Sequence, residues 1–339
     1  MRIILVGYGT VARSLTQLFL ERRRLLREGF GLNPRVVAAI DRGGAAINPR
    51  GLSLERLLEV KASTGSVANY PGDGHPGMEP RQVIREVEAE VVVETLPTNL
   101  EDGQPALAIL EEAFKAGLHV VTTDKGPLAL ALPALIELAA YNRVAFRFSG
   151  TVGGGTPILE FGKRCLVADR LKVVEGILNG TTNYILTAME RRGLEFEDAL
   201  KEAQRLGYAE ADPSLDIDGW DTAAKVVIIA NWLMGRRVTL KDVRVRGIRG
   251  LEVAELAQAR RQGRTIKLLG RVGEDSLTVA PEEVGLEDPL NVAGTLNAVR
   301  FRTETAGDET LIGRGAGGPE TASAVIRDLI WVGGKTPTG

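Results

Sequence analysis

The segment Gly207–Lys225 concentrates residue types that handle protons and cations. Glu210, Asp212, Asp216, Asp218 and Asp221 crowd a turn-rich stretch, and then a helix is expected to begin. On that helix Asp221 and Lys225 stand at i and i+4, so they share one face. The run after Lys225, Val226 to Ala230, is apolar on every side and should be buried. A lysine leading into a buried run, with carboxylates nearby, has the layout of a site for proton transfer and cationic substrates. The competing explanation is a surface salt bridge at a helix start.

A second group of residues suits a dinucleotide. Arg2 to Val6 reads as a short buried strand, Gly7-Tyr8-Gly9-Thr10-Val11-Ala12 follows, and Leu15, Leu18, Phe19 and Leu20 mark a helix. Strand, Gly-x-Gly-x-x-Ala and helix in that order form a dinucleotide fingerprint. Gly7 would make the tight turn, Gly9 would let backbone approach a pyrophosphate, and Ala12 would let helix pack close on strand. The helix start then offers free N–H groups and a partial positive charge to the phosphates. The next strand, Arg35 to Ile40, ends at Asp41-Arg42, where the adenosine ribose is expected. Asp41 would accept from a free 2′-hydroxyl and favour NAD. Arg42 would hold a 2′-phosphate and favour NADP, with Lys61 as a second phosphate partner. The residues leave that choice open.

Other elements must position these groups. Buried strand patterns at 89–95 and 118–123 flank a helical pattern running from Ala106 to Phe114, and the alternation implies parallel βαβ units. Ligands of such sheets bind beyond the carboxyl ends of the strands. That places Thr95, Pro97, Thr123 and Lys125 where cofactor and substrate would meet. The glycines of Ser149 to Pro157 suit a hinge or a close approach to ligand, and mark a domain boundary. A strand at 171–178 runs into Asn179-Gly180-Thr181, read as a strand-to-helix connection with exposed hydroxyls. A helix at 197–206 stops at Gly207. The stretch Gly313 to Pro319, containing Gly315, is a second glycine-rich cradle ahead of a helix at 321–329.

Composition bounds the function. The chain has 339 residues, enough for about two domains, with 44% hydrophobic and 25% charged residues. A net charge of −2 gives no electrostatic case for nucleic acid or an acidic membrane. No run approaches the roughly 20 apolar residues of a membrane span. No signal peptide is visible, and a cytoplasmic location is expected. A single cysteine, Cys165, excludes a disulfide framework and a Cys-rich metal site. His75, in a loop-like context, and His119, ahead of a strand, have no partners at metal-ligand spacing and read as structural. Cys and Met are scarce, which is one thermophile trend, and a thermophilic source is an expectation; the roughly threefold excess of Arg over Lys is not a general one.

Taken together the motifs resemble homoserine dehydrogenase over nearly the whole chain. They are Gly7 to Val11, Val120 to Ala129, Thr151 to Pro157, Gly176 to Tyr184, Gly207 to Lys225 and Gly313 to Asp328. The resemblance implies an α/β fold class: a Rossmann-type nucleotide-binding domain over 1–148, completed by 308–339, and an α+β substrate and dimerisation domain over 149–307. It implies NAD(P)-linked interconversion of L-homoserine and L-aspartate 4-semialdehyde by a homodimer. Glu210 and Asp216 would surround the substrate ammonium, beside Gly180, Thr181 and Tyr208. Asp221 would orient Lys225, and Lys225 and Lys125 are the candidate proton handlers. Backbone carbonyls of Val152, Gly154 and Thr156 would hold a sodium or potassium ion, although Ser149 stands where many family members have a glutamate. The chain ends soon after the last Rossmann helix, so weak or no feedback inhibition by threonine is expected.

Two rival functions make different demands. An aldehyde dehydrogenase acting through a thioester needs an activated cysteine, and Cys165 has no histidine close in sequence. A nucleotide sensor without turnover would keep the glycine fingerprint but would not need Lys125, Glu210, Asp221 and Lys225 together.

Overall fold

The computed structural model describes residues 1–334. The chain divides into two compact units, Met1–Thr151 with the segment from Gly317 onward, and Val152–Ala316.

In the first unit the elements run β1 (Arg2–Val6), α1 (Thr10–Glu21), α2 (Arg23–Phe30), β2 (Arg35–Asp41), β3 (Gly44–Ile47), α3 (Leu54–Thr64) and β4 (Gly74–Pro76). Then come α4 (Pro80–Glu86), β5 (Val91–Glu94), α5 (Ala106–Lys115), β6 (His119–Thr122), α6 (Gly126–Tyr141) and β7 (Phe146–Arg147). The strands form one sheet in the order β4-β3-β2-β1-β5-β6-β7. From β2 to β7 all pairs are parallel. A parallel sheet is covered on both faces, which explains strands that are apolar without alternation. Ile3 to Val6, Val36 to Ile40 and Val91 to Val93 are all at most 1% exposed. The helix Gly318–Val332 returns to this unit, and its Ala322, Val325, Ile326 and Leu329 share a core with Ala12, Leu15 and Phe19 of α1. Gly318 permits that approach, since a Cβ there would lie 2.6 Å from Ser14 Oγ.

The sheet departs from an all-parallel pattern at one edge. β3 pairs antiparallel with β2, and β4 antiparallel with β3. Asp41 and Gly44 are register partners, and so short a connection permits only a hairpin. His75, expected in a loop, therefore lies in β4 opposite Ala45. β5 is shorter than the apolar pattern at 89–95, ending at Glu94. His119 opens β6, and its Nδ1 accepts the Ala145 N–H at 2.9 Å, a structural role as expected.

The second unit contains the single turn α7 (Ile158–Glu160), β8 (Leu171–Ile177), α8 (Gly180–Arg192), α9 (Phe196–Arg205), α10 (Ser214–Ile217) and α11 (Trp220–Leu233). It continues with β9 (Arg244–Val245), α12 (Val253–Arg261), β10 (Arg264–Val272), β11 (Leu277–Gly285), β12 (Leu296–Thr303) and β13 (Asp308–Arg314). The helix Gly318–Val332 is α13. The sheet order is β13-β12-β8-β10-β11-β9. α11 lies on this sheet so closely that a Cβ at Gly270 would be 2.8 Å from Val226 Cγ2.

Both expected boundaries move. Asp308–Arg314 is not part of the nucleotide unit, because it pairs along its whole length with β12. The crossing falls at Gly317, and Gly313 and Arg314 end a strand instead of opening a loop. Of the expected 308–339 segment, residues 335–339 lie outside the described residues. At the other boundary, Ser149 to Thr151 stay with the first unit. The Ser149 N–H and hydroxyl both donate to Asp328 Oδ2 at 2.9 Å. No helix among the described residues is long and apolar enough to cross a membrane.

Candidate active site

In the second unit the site is built around Asn179. β8 ends at Ile177, and Asn179 is the N-cap of α8, its Oδ1 accepting from Thr182 N at 2.9 Å. An N-cap asparagine normally satisfies only the helix start. Here the amide nitrogen also donates to Asp216 Oδ1 at 2.6 Å and to Asp221 Oδ2 at 2.9 Å. α10 presents Asp216, and the first turn of α11 presents Asp221. Lys225, one turn further along α11, donates from Nζ to Asp221 Oδ2 and to the Leu178 carbonyl, both at 2.6 Å. The Lys225 and Asp221 side chains are 8% and 12% exposed, so this is not the surface bridge of the competing explanation. Val226 to Ala230 behind them are buried, as expected.

The electrostatics leave room for a cation. Burial raises the Asp216 carboxyl above its ordinary value, the Asp221 charge raises it further, and Thr181, Lys225 and Asn179 offset only part of this. Two carboxylates face one ammonium in a partly desolvated pocket, an arrangement that a substrate ammonium would neutralise. Lys225 has three donor positions, and two acceptors for them are present among the described residues. One donor position is left without an acceptor among the described residues. Thr181 is buried at the start of α8 and donates to the Tyr208 carbonyl at 2.7 Å. Gly180 packs under Thr295, whose carbonyl oxygen would be 2.8 Å from a Cβ there. The Tyr208 ring is exposed and lies 4.9 Å from that of Tyr184. Glu210 is placed differently from Asp216. It is exposed, and what the fold holds is its backbone carbonyl, through Gln204 Nε2 at 3.2 Å. Asn179, the residue joining both carboxylates, was not among the expected site residues. Its signal in the sequence was weak, because Asn-Gly most often means a turn.

In the first unit the fingerprint takes its expected form. Gly7 has φ +88°, and a Cβ there would lie 2.9 Å from the Thr95 carbonyl carbon and oxygen. Thr95 Oγ1 donates to the Gly7 carbonyl at 2.7 Å. Gly9 is the N-cap of α1 and has no side chain to fill the helix start, which leaves N–H groups near Thr10 and Val11 for an anion. Ala12 is fully buried against the sheet. Thr95, Pro97, Thr123 and Lys125 lie at the carboxyl ends of β5 and β6, with Lys125 half-buried just before α6.

The end of β2 is arranged otherwise than expected. Asp41 accepts from Gly43 N at 2.9 Å, Ser66 Oγ at 2.7 Å, Lys61 Nζ at 2.6 Å and Val67 N at 2.9 Å. Its carboxylate is filled by its own chain, and Lys61 is a partner of Asp41 instead of a free lysine. These bonds hold the Asp41 carboxyl below its ordinary value against the opposing effect of burial. Arg42 beside it is exposed, with no ion pair among the described residues.

A third cluster belongs to the second unit. A Cβ at Gly154 would lie 2.8 Å from the Gly315 carbonyl, and one at Gly315 would overlap the Asn297 amide at 1.9 Å. Asn297 is 1% exposed, and neither its Oδ1 nor its Nδ2 has a partner among the described residues. The Thr156 carbonyl already accepts from Ile158 N at 2.8 Å. No group of three or more His, Cys, Asp or Glu among the described residues could hold a metal. Cys165 is a free, exposed thiol.

Comparison with known proteins shows the family. The family model described as homoserine dehydrogenase matches residues 157–330. A homoserine dehydrogenase of Methanocaldococcus jannaschii is 47% identical, over 99% of each chain. An NAD(+)-dependent homoserine dehydrogenase of Pseudomonas canavaninivorans is 39% identical, over 98% of this chain and 96% of that one. The structure of a hyperthermophilic archaeal homoserine dehydrogenase in complex with NADPH superposes with a TM-score of 0.87 at 31% identity, covering 99% of this chain and 98% of that one. With its fingerprint loop and its Asn179–Asp216–Asp221–Lys225 cluster, the chain belongs to the homoserine dehydrogenase family.

Proposed function

We propose that Lys225 is the main acid/base of this enzyme and that Asp216, beside Asn179 and Asp221, receives the substrate ammonium. The reaction is the reversible NAD(P)-dependent interconversion of L-homoserine and L-aspartate 4-semialdehyde. The nicotinamide, when bound, supplies the hydride chemistry. The protein must move the other proton. In the reducing direction the Lys225 ammonium donates a proton to the carbonyl oxygen; in the oxidising direction the neutral amine takes it from the hydroxyl. The observation that carries this reading is the unfilled donor position of a buried Lys225 that Asp221 and the Leu178 carbonyl hold in place. Asp221 orients the amine, and Asn179 keeps Asp216 and Asp221 at a fixed spacing. Lys125 belongs to the nucleotide unit, where its ammonium suits cofactor binding at the strand ends. Glu210, exposed beside Tyr208, is read as closing on the substrate ammonium when it binds.

The cofactor choice is read as favouring NADP. Asp41 has no acceptor position left for a ribose hydroxyl, whereas Arg42 at the same strand end is exposed with no ion pair among the described residues. Guanidinium and phosphate make strong bidentate pairs. The residues also fit a loosely held sodium or potassium ion. The Val152 and Gly154 carbonyls are neutral acceptors, and the buried Asn297 amide beside Gly315 lacks a partner. With no carboxylate at Ser149, such an ion would brace the glycine loop and would not act on the substrate. The family likeness supports reading the protein as a cytoplasmic homodimer.

Purified protein mixed with L-homoserine and either NADP or NAD, followed by nicotinamide absorbance, tests the reading. Turnover favouring NADP is expected. A preference for NAD would overturn the assignment at Arg42. Rates indifferent to sodium and potassium would remove the ion, and a monomer by light scattering would remove the dimer.

A further inference from the structure

Beneath the nucleotide edge of the first unit lies a buried carboxyl pair that the reaction as described does not use. Glu94 ends β5 and is fully buried; Asp124, just past β6, is 1% exposed. Thr122 joins them. Its hydroxyl donates to Glu94 Oε2 in a very short contact, and the same oxygen accepts from Asp124 N at 3.0 Å. Glu94 Oε1 accepts from Leu96 N at 2.6 Å, and Asp124 Oδ1 accepts from Gly126 N at 2.8 Å. One polar chain thus ties the loop after β5 to the turn after β6. Those two segments also touch directly, since a Cβ at Gly126 would lie 2.3 Å from the Asn99 carbonyl. Thr95, in the first of them, is bonded to Gly7 of the fingerprint. Asp124 Oδ2 is buried without a hydrogen bond of ordinary geometry, and the nearby Thr98 hydroxyl favours the ionised form of that carboxyl.

We propose that the buried Glu94 and Asp124, tied together through Thr122, act as a positioning pair that holds the 95–99 and 123–126 segments and Lys125 in the arrangement that binds the nicotinamide cofactor. This rests on the dinucleotide lying at this edge. Two ionised carboxylates buried near one another repel; Glu94 is supported by the Thr122 hydroxyl and Leu96 N–H, and Asp124 by the Gly126 N–H, Thr98 and Lys125, while burial and the Asp124 charge act against Glu94. The charges facing the pair are few. β1, on the far side of β5, presents the apolar Ile3 to Val6; β6 presents Thr122; Lys125 is the cation beside Asp124. Burial first, and then the Asp124 charge, push Glu94 up to about 8, and burial lifts Asp124 to about 6. Near pH 7 the pair therefore holds one proton. Above pH 8 the second charge should force the two segments apart.

The test is the Kd of NADPH, read by its fluorescence, from pH 6 to pH 9.5 at constant ionic strength, for wild type, Glu94→Gln and Asp124→Asn. In wild type the Kd should rise about tenfold between pH 7 and pH 9.5 as the second proton leaves. Glu94→Gln cannot gain that charge and should stay within about twofold across the range. Asp124→Asn, which prevents the doubly charged state while keeping the Glu94 carboxyl in place, should lose most of the rise and stands in if Glu94→Gln fails to fold. An unchanged alkaline rise in both variants would overturn the proposal. Failure of wild type to bind NADPH even at pH 7 would instead overturn the assignment of the dinucleotide to this edge, and the proposal with it.

Discussion

Lys225→Met separates the chemical role of the lysine from its structural one. The side chain is 8% exposed and its partner Asp221 12%, so the substitution leaves a carboxylate largely buried without its cation. Breaking a buried pair from one side costs about 3–5 kcal/mol. The lower end applies here, because Asn179 still donates to the same Asp221 oxygen at 2.9 Å. At ~2–4 °C per kcal/mol for a unit of this size, a loss of about 3 kcal/mol lowers the Tm by roughly 6–12 °C. Turnover should fall by about 10²–10⁴, the range for a general acid–base group, or about 2.7–5.5 kcal/mol of barrier. Adding Asp221→Asn removes the stranded charge. The double variant should regain most of the Tm and none of the turnover. Scanning calorimetry and initial rates of nicotinamide oxidation with aspartate semialdehyde read the two effects on the same samples. If turnover returned together with Tm, or if Lys225→Met alone kept turnover within about tenfold of wild type, the acid–base assignment would be wrong.

Arg42→Ala should weaken NADP binding by about 10–100-fold, the worth of a charge-assisted hydrogen bond of about 1.5–3 kcal/mol, and leave NAD binding unchanged; an equal loss for both cofactors by calorimetric titration would refute the phosphate role. Gly7→Ala places a Cβ 2.9 Å from the Thr95 carbonyl at φ +88°. It should abolish measurable dinucleotide binding, and normal NADP affinity would show that the turn is not needed in this form. Glu94 also predicts a pH dependence of stability. Its value in the folded protein, about 8, stands above the ordinary 4.5, so the folded state holds the proton more tightly than the unfolded chain. The stability this contributes is whole below the ordinary value and is lost as pH rises through the folded one. Glu94→Gln cannot ionise, so the Tm of wild type should fall relative to it across that window; parallel curves would contradict the raised value.

The nucleotide fingerprint was legible because its demands are local. A tight turn needs a glycine at Gly7, close packing needs a small residue at Ala12, and both are visible within one strand-loop-helix segment. The i, i+4 spacing of Asp221 and Lys225 was legible for the same reason, and the helix carries both on one face at 2.6 Å. The hairpin edge of the sheet was not. β3 and β4 are three or four residues long, too short for an alternation to stand out from loop composition. The end of the second unit was misjudged because glycines in Gly313 to Pro319 suggest a loop, whereas pairing with β12 keeps Gly313 and Arg314 in a strand.

By itself, then, the amino-acid sequence determined the parallel βαβ core, the dinucleotide turn and the lysine–aspartate face, since each depends on residues within a turn or two of one another. Tertiary structure decided which candidates meet. Asn179 joins Asp216 and Asp221 from 37 and 42 residues away, and Glu94 meets Thr122 across 28. It also decided that Asp41 turns inward to Lys61 and Ser66 while Arg42 lies exposed beside it. Side-chain chemistry is written in the chain, but a carboxylate serves substrate, cofactor or fold according to which donors packing brings within hydrogen-bond reach, and that depends on contacts distant in sequence.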